Sequence, residues 1–248
     1  MTKPKKEATE VIRFYAVHKM LMWIAAISLP LVGCLLYYMT FGSHTVSGKG
    51  IGPDTLVRRF GIREWISHWL MLLGFLTLAA TGFMQVVPGT ALDHLGPFHG
   101  WLGFIFFLIA LITLLGWIRD ASFKQYDWPW LLKMGGYLSH DPKPLAAGRF
   151  NAGQKIYYWS LLLVLIGLLV SAVVMEQGSH SLAGRKELFW CVHGLLGCLA
   201  TIMVIGHGFL SLFVNPDTAR VLWSGRVSKA YTDKHHSLWK VPQDQKRR

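Results

Sequence analysis

The sequence is short of acid. It holds 13 Asp and Glu against 25 Lys and Arg, and charged residues make up only 15% of its 248 positions. That balance is the composition of a membrane protein. Cysteine is scarce as well. Cys34, Cys191 and Cys198 all lie in apolar stretches and form no CxxC or CxxCH pattern. This argues against zinc, c-type haem or an iron–sulfur cluster on this chain. Internal repeats and low-complexity blocks are missing, which disfavours a repeat-built transporter with a midplane site. The formal charge of +12 is read as Lys and Arg gathered in loops on one membrane side, so no nucleic-acid partner is expected.

What is present is apolar length. The chain is 52% hydrophobic and carries 11 Trp. Five runs contain no Asp, Glu, Lys or Arg: 20–41, 65–87, 98–118, 156–175 and 188–214. Each reaches the roughly 20 residues a bilayer requires. The first follows a basic segment, 1–19, and could be a signal peptide. It is long for one, and no clear small-x-small cleavage site follows, so a retained helix is expected, with a possible kink at Pro30. The fold class predicted is all-α, an integral membrane helical bundle with four core helices and one extra N-terminal transmembrane helix. Three regions follow: 1–57 (basic segment, extra helix and loop), 58–240 (the core domain) and 241–248 (a basic tail).

Basic residues orient the bundle. The cluster VRRFGIRE ahead of the second run, six Lys and Arg in 119–155, and the tail fall on one side. Linkers 88–97 and 176–187, with none and two respectively, fall on the other. The richer side is the cytoplasm by the positive-inside rule. A spanning first run sends the basic N-terminus to the opposite side, against that rule.

The run 188–214 contains two histidines, His193 and His207, 14 residues apart. On a helix this is about 21 Å of rise and nearly a whole number of turns, so both imidazoles leave one face. Ionisable side chains inside a membrane helix are functional suspects. Gly194, Gly197, Gly206 and Gly208 flank them, which leaves room for a flat, bulky group. Direction of travel brings His68 to the depth of His207 and His99 to that of His193. Four histidines on three helices then form two bis-imidazole pairs, the ligand set of two low-spin haems suited to electron transfer. The plainer alternative is packing of small residues with each His bonded to a neighbouring helix. A carboxylate-based metal site ranks low, because acids are few at the ends of the runs, Glu64 and Glu187 among them. His44, His94, His140, His180, His235 and His236 are expected in solvated loops or tail, and His18 at the interface.

Just before the fourth run stand Asn151, Gly153 and Gln154, at the depth of the His68–His207 pair. Their amides and backbone N–H could hold a quinone carbonyl beside an apolar slot. The alternative, which the physics alone favours, is an ordinary helix N-terminus capped by Asn151.

The segment GRFNAGQKIYYW, the preceding WPWLL, the HW of SHW, the HG of PFHG, the 14-residue histidine spacing and the late KHHSLW together resemble the cytochrome b (gamma) subunit of respiratory formate dehydrogenase. The resemblance covers roughly 58–240, and AGRFNAGQK is its most specific part. It implies that His68 and His207 ligate a cytoplasmic-side haem b and His99 and His193 a periplasmic-side one. It implies a menaquinone (or ubiquinone) site at Asn151, Gly153 and Gln154. It also implies an iron–sulfur (beta) partner, a catalytic molybdenum or tungsten (alpha) partner, and a multi-pass place in the bacterial inner membrane with the C-terminus cytoplasmic. Formate oxidation itself has no residues on this chain. Its basic loops could hold anionic lipid. The competing readings are the cytochrome b of a nickel–iron hydrogenase or thiosulfate reductase, and a haem-free membrane anchor.

Overall fold

The computed structural model describes residues 3–44, 56–87, 95–140, 143–176 and 183–240. Five long helices dominate: α1 (Lys3–Phe41), α2 (Ile62–Met84), α3 (Leu95–Trp117), α5 (Ala152–Glu176) and α6 (Ala183–Phe209). A short helix, α4 (Asp127–Leu132), lies between α3 and α5, and two more, α7 (Val221–Ser224) and α8 (Lys229–His235), follow α6. All five long helices are long and apolar enough to cross a membrane. Side chains such as Leu73, Ile112 and Leu163 are exposed. In water they would be a liability, whereas in hydrocarbon they are the normal surface. The chain is thus an all-α, multi-pass membrane protein.

Two features differ from the sequence reading. Helix α1 begins at Lys3, well inside the basic segment expected to precede it, and runs unbroken through Pro30. A two-stranded antiparallel ribbon, β1 (Leu56–Arg58) with β2 (Arg226–Ser228), pairs Val57 with Val227. Three-residue strands carry too little alternation to be read from sequence.

The chain divides into two compact units. The first comprises 1–31, 70–111 and 161–205. Trp23 and Ala26 of α1 pack there with Val86 and with Cys198 of α6. The second comprises 32–69, 112–160 and 206–248, and contains the ribbon, α4, α7 and α8. In it Val221, Val227 and Tyr231 form a core with Phe60 against it. Gly225 ends α7 at φ +65, where a Cβ would meet the Phe60 carbonyl at 2.9 Å, so only glycine suits this turn. Glu64, at the start of α2, accepts from Arg149 at 2.7 Å and from the Trp117 indole at 3.0 Å. Arg149 also donates to Asp120 at 2.8 Å, so the loop before α5 is pinned to α2 and to the end of α3.

Helix α5 opens with a reciprocal capping box. Asn151 Oδ1 accepts from the Gln154 amide at 2.9 Å, and Gln154 Oε1 accepts from the Asn151 amide at 3.1 Å. Two N–H groups that a helix start leaves without partners are satisfied this way.

Candidate functional site: two imidazole pairs

Each compact unit contains one histidine pair. In the second unit His68 of α2 faces His207 of α6, with ring centroids 6.4 Å apart and planes 49° apart. In the first, His99 of α3 faces His193 of α6 at 6.2 Å and 71°. These separations are informative. A metal–imidazole bond of about 2 Å and a ring radius of about 1.1 Å put two imidazoles, trans across one ion, at a centroid distance of about 6.2 Å. Direct imidazole–imidazole hydrogen bonding would pull the rings closer. Both spacings therefore leave room for one metal ion between two imidazole nitrogens.

The ring nitrogens away from the partner are also arranged. Thr81 Oγ1 lies 2.7 Å from His99 Nδ1 and donates its own proton to the Thr77 carbonyl at 2.8 Å. Ser171 Oγ lies 2.9 Å from His193 Nδ1 and donates to the Gly167 carbonyl at 2.7 Å. A hydroxyl has one proton. Once it is given to a carbonyl, the oxygen can only accept from the imidazole. Each Nδ1 then carries the hydrogen, and each Nε2 keeps its lone pair for a metal. This is the outer-shell support that ligating histidines use. Neither Thr81 nor Ser171 was singled out from the sequence.

At the other pair the support is a stack. The Tyr157 ring lies 4.9 Å from that of His207 with planes 16° apart. Gly206 and Gly208 beside His207 have nothing within 4 Å of a would-be Cβ, and His207 itself is exposed. A cradle is open there.

Gly194 and Gly197 behave differently from expectation. The niche at Gly194 is filled by the Tyr15 hydroxyl, and Trp23 carbons lie 3.1 Å from a Cβ on Gly197. Their missing side chains accommodate Tyr15 and Trp23 of α1. Trp23 also lies 3.9 Å from a Cβ on Gly82, whose nearest neighbour is His99 at 3.4 Å.

In the polar group ahead of α5, Asn151 is buried. Its carbonyl oxygens belong to the capping box, so the side-chain NH2 groups of Asn151 and Gln154 are what remains to donate. Gly153 lies under Trp130 of α4, whose ring is 2.6 Å from a would-be Cβ. No larger residue fits between them.

Three loop histidines are not solvated. His44 and His236 are buried. The His44 amide donates to the Val214 carbonyl at 2.6 Å. His236 Nδ1 donates to the Gly148 carbonyl at 2.8 Å, and its neighbour His235 stacks on Tyr231 at 4.8 Å. Burial pushes the imidazole of His235 down to about 4 and that of His236 well below the usual range. Their contacts are long-range ones that no local pattern announces. His140 is exposed and His18 is half-buried, and His94 and His180 lie outside the described residues. Among the described residues no cluster of three or more His, Cys, Asp or Glu could hold a metal, which leaves the paired imidazoles as the candidate ligands.

A family profile described as prokaryotic cytochrome b561 matches residues 59–225. The chain belongs to the prokaryotic cytochrome b561 family. The matched stretch contains all four paired histidines and the α5 capping box. Among curated relatives, the cytochrome b556(Fdn) subunit of the nitrate-inducible formate dehydrogenase of Escherichia coli K12 is 24% identical over 188 residues, covering 69% of this cytochrome and 84% of the relative. The formate dehydrogenase cytochrome b556 subunit of Haemophilus influenzae is 26% identical over 204 residues, covering 76% and 84%. The cytochrome b556(fdo) subunit of Escherichia coli K12 formate dehydrogenase is 23% identical over 199 residues, covering 75% and 92%. A cytochrome b carries haem b.

Proposed function

We propose that this chain is the membrane-anchoring cytochrome b subunit of a formate dehydrogenase complex. It carries electrons from a partner iron–sulfur subunit to menaquinone or ubiquinone at the cytoplasmic side. A molybdenum- or tungsten-containing partner oxidises formate. The observation that carries this reading is the pair of imidazole couples at 6.4 and 6.2 Å. The names of the relatives support the formate dehydrogenase assignment.

In this reading His68 and His207 hold one haem b, and His99 and His193 hold a second. Bound there, haem supplies a low-spin iron that exchanges one electron and keeps no open position for other chemistry. The residues do the rest. Thr81 and Ser171 fix the tautomer and angle of His99 and His193. Tyr157 holds the His207 ring by its face. Asn151, Gly153 and Gln154 form the quinone end, where the two NH2 groups donate to a carbonyl. The basic loops and the C-terminus face the cytoplasm.

The test is a haem-to-protein ratio with a reduced-minus-oxidised spectrum on the purified protein. Two low-spin b haems per chain support the scheme. One would make one pair structural, and none in a folded protein would favour a haem-free anchor.

A further inference from the structure

Next to the quinone end lies an ion pair that the scheme above does not use. Lys155 Nζ donates to Asp127 Oδ2 at 2.7 Å, with side chains only 1% and 2% exposed. A buried pair of this kind is weak evidence for stability, because apolar residues of the same volume often serve as well or better. Asp127 Oδ2 also accepts from the Lys124 amide at 2.6 Å. Its second oxygen, Oδ1, is buried and receives no hydrogen bond from the protein. Buried polar atoms are nearly always satisfied, so Oδ1 is an acceptor aimed at something other than protein.

The location is specific. Lys155 stands four residues after Asn151 on α5, hence on the same helix face one turn along, and its amide donates to the Asn151 carbonyl at 3.0 Å. Asp127 and Trp130 stand three apart on α4. Trp130 covers Gly153 while Asp127 meets Lys155. The two contacts clamp α4 over the first turn of α5, where the quinone residues lie. The titratable groups facing Lys155 are Asp127 from α4 and Tyr126 just before it, whose ring centroid is 5.0 Å from Nζ.

We propose that Asp127 and Lys155 deliver protons to quinone bound beside Asn151 and Gln154, an inference that rests on the quinone-reducing reading. Quinone takes two electrons, supplied by the reduced partner subunits, and two protons to become quinol. For each proton, an N–H bond of the Lys155 ammonium breaks as the O–H bond on a quinone oxygen forms. The Asp127 carboxylate is then left without its counter-charge, and draws a proton from water at the cytoplasmic face to restore the ammonium. Two such cycles complete one quinol.

The experiment mixes the dithionite-reduced, haem-loaded protein with menadione, a soluble naphthoquinone. It follows cytochrome reoxidation across the neutral pH range, and separately measures menadione affinity for the oxidised protein. Asp127→Asn and Lys155→Met are each expected to slow reoxidation by about 10²-fold. Their rates become proportional to proton concentration, while the wild type stays nearly flat with pH. Haem content and menadione affinity stay unchanged. Asp127→Leu/Lys155→Met replaces the pair by apolar bulk and guards against a folding defect in the single variants. Wild-type rates and pH profile in the double variant, with haem and menadione bound normally, overturn the proposal. So does a loss of menadione affinity that parallels the loss of rate, which would make the pair architectural. A wild-type protein that menadione fails to reoxidise sinks the quinone reading itself, and that control is read first.

Discussion

Thr81 holds the Nδ1 hydrogen of His99 through a 2.7 Å contact, while its own hydroxyl proton goes back to the carbonyl one turn earlier, at Thr77. Removing that acceptor is a sharp test. In Thr81→Val the shape is kept and the hydroxyl is lost. Haem affinity at the His99–His193 pair should fall by about 10- to 100-fold. The midpoint potential of that haem should rise, because a less electron-rich imidazole stabilises ferric iron less. Redox potentiometry checks both. Equal potentials and occupancy would mean the hydroxyl only caps its own helix.

His207→Ala should remove one haem and abolish quinone reduction, because its pair stands at the proposed quinone end. His99→Ala should remove the other and leave a protein that menadione still reoxidises after chemical reduction. Haem ratios read both outcomes, and a His207→Ala protein retaining two haems would break the assigned pairing.

Asn151 has two separable roles. Asn151→Ala loses the cap, at about 1 kcal/mol, along with the donor. Asn151→Asp keeps a good cap and replaces the NH2 donor by a carboxylate oxygen. If Asn151 contacts quinone, the Asp variant melts like the wild type but reduces quinone more slowly. Unchanged turnover at limiting quinone would reduce Asn151 to a helix cap.

Gly206→Ala and Gly194→Ala should fail differently. A methyl group at 206 meets open space in the protein, so the fold should survive while haem content at the His68–His207 pair drops. At 194 the methyl group collides with Tyr15 of α1, so the thermal midpoint should fall. Haem titration and thermal melts separate the two.

Acid should loosen the C-terminal region. His235 and His236 titrate below the ordinary value near 6.5 because burial disfavours the cation. The unfolded chain therefore binds protons first. Stability is fully present above about pH 6.5 and is lost as pH falls towards 4. Hydrogen exchange of α8 at mildly acidic and neutral pH should show faster opening in acid.

The five spans and the meeting of His68 with His207 and of His99 with His193 were legible because hydrophobic length and direction of travel are properties of the chain alone. The α5 cap was legible too, since Asn and Gln three apart are a local signal. Thr81 and Ser171 were not. Serine and threonine bond back to carbonyls throughout membrane helices, as Thr40 and Thr77 do here with no imidazole attached, so only a neighbour in space distinguishes them. Gly194 and Gly197 look like Gly206 and Gly208 in sequence. Which pair is filled depends on where α1 packs. The burial of His236 depends on the tail returning to the loop at Gly148, 88 positions away.

The hydroxyl bridges at His99 and His193 have a consequence for charge. Each chain of donors runs from imidazole to hydroxyl to a backbone carbonyl of the hydroxyl's own helix. In the proposed scheme, these bonds give an electron arriving at this pair no proton to follow it. The couple is insulated in the electrical sense, so its potential should stay constant as the acidity of either compartment drifts.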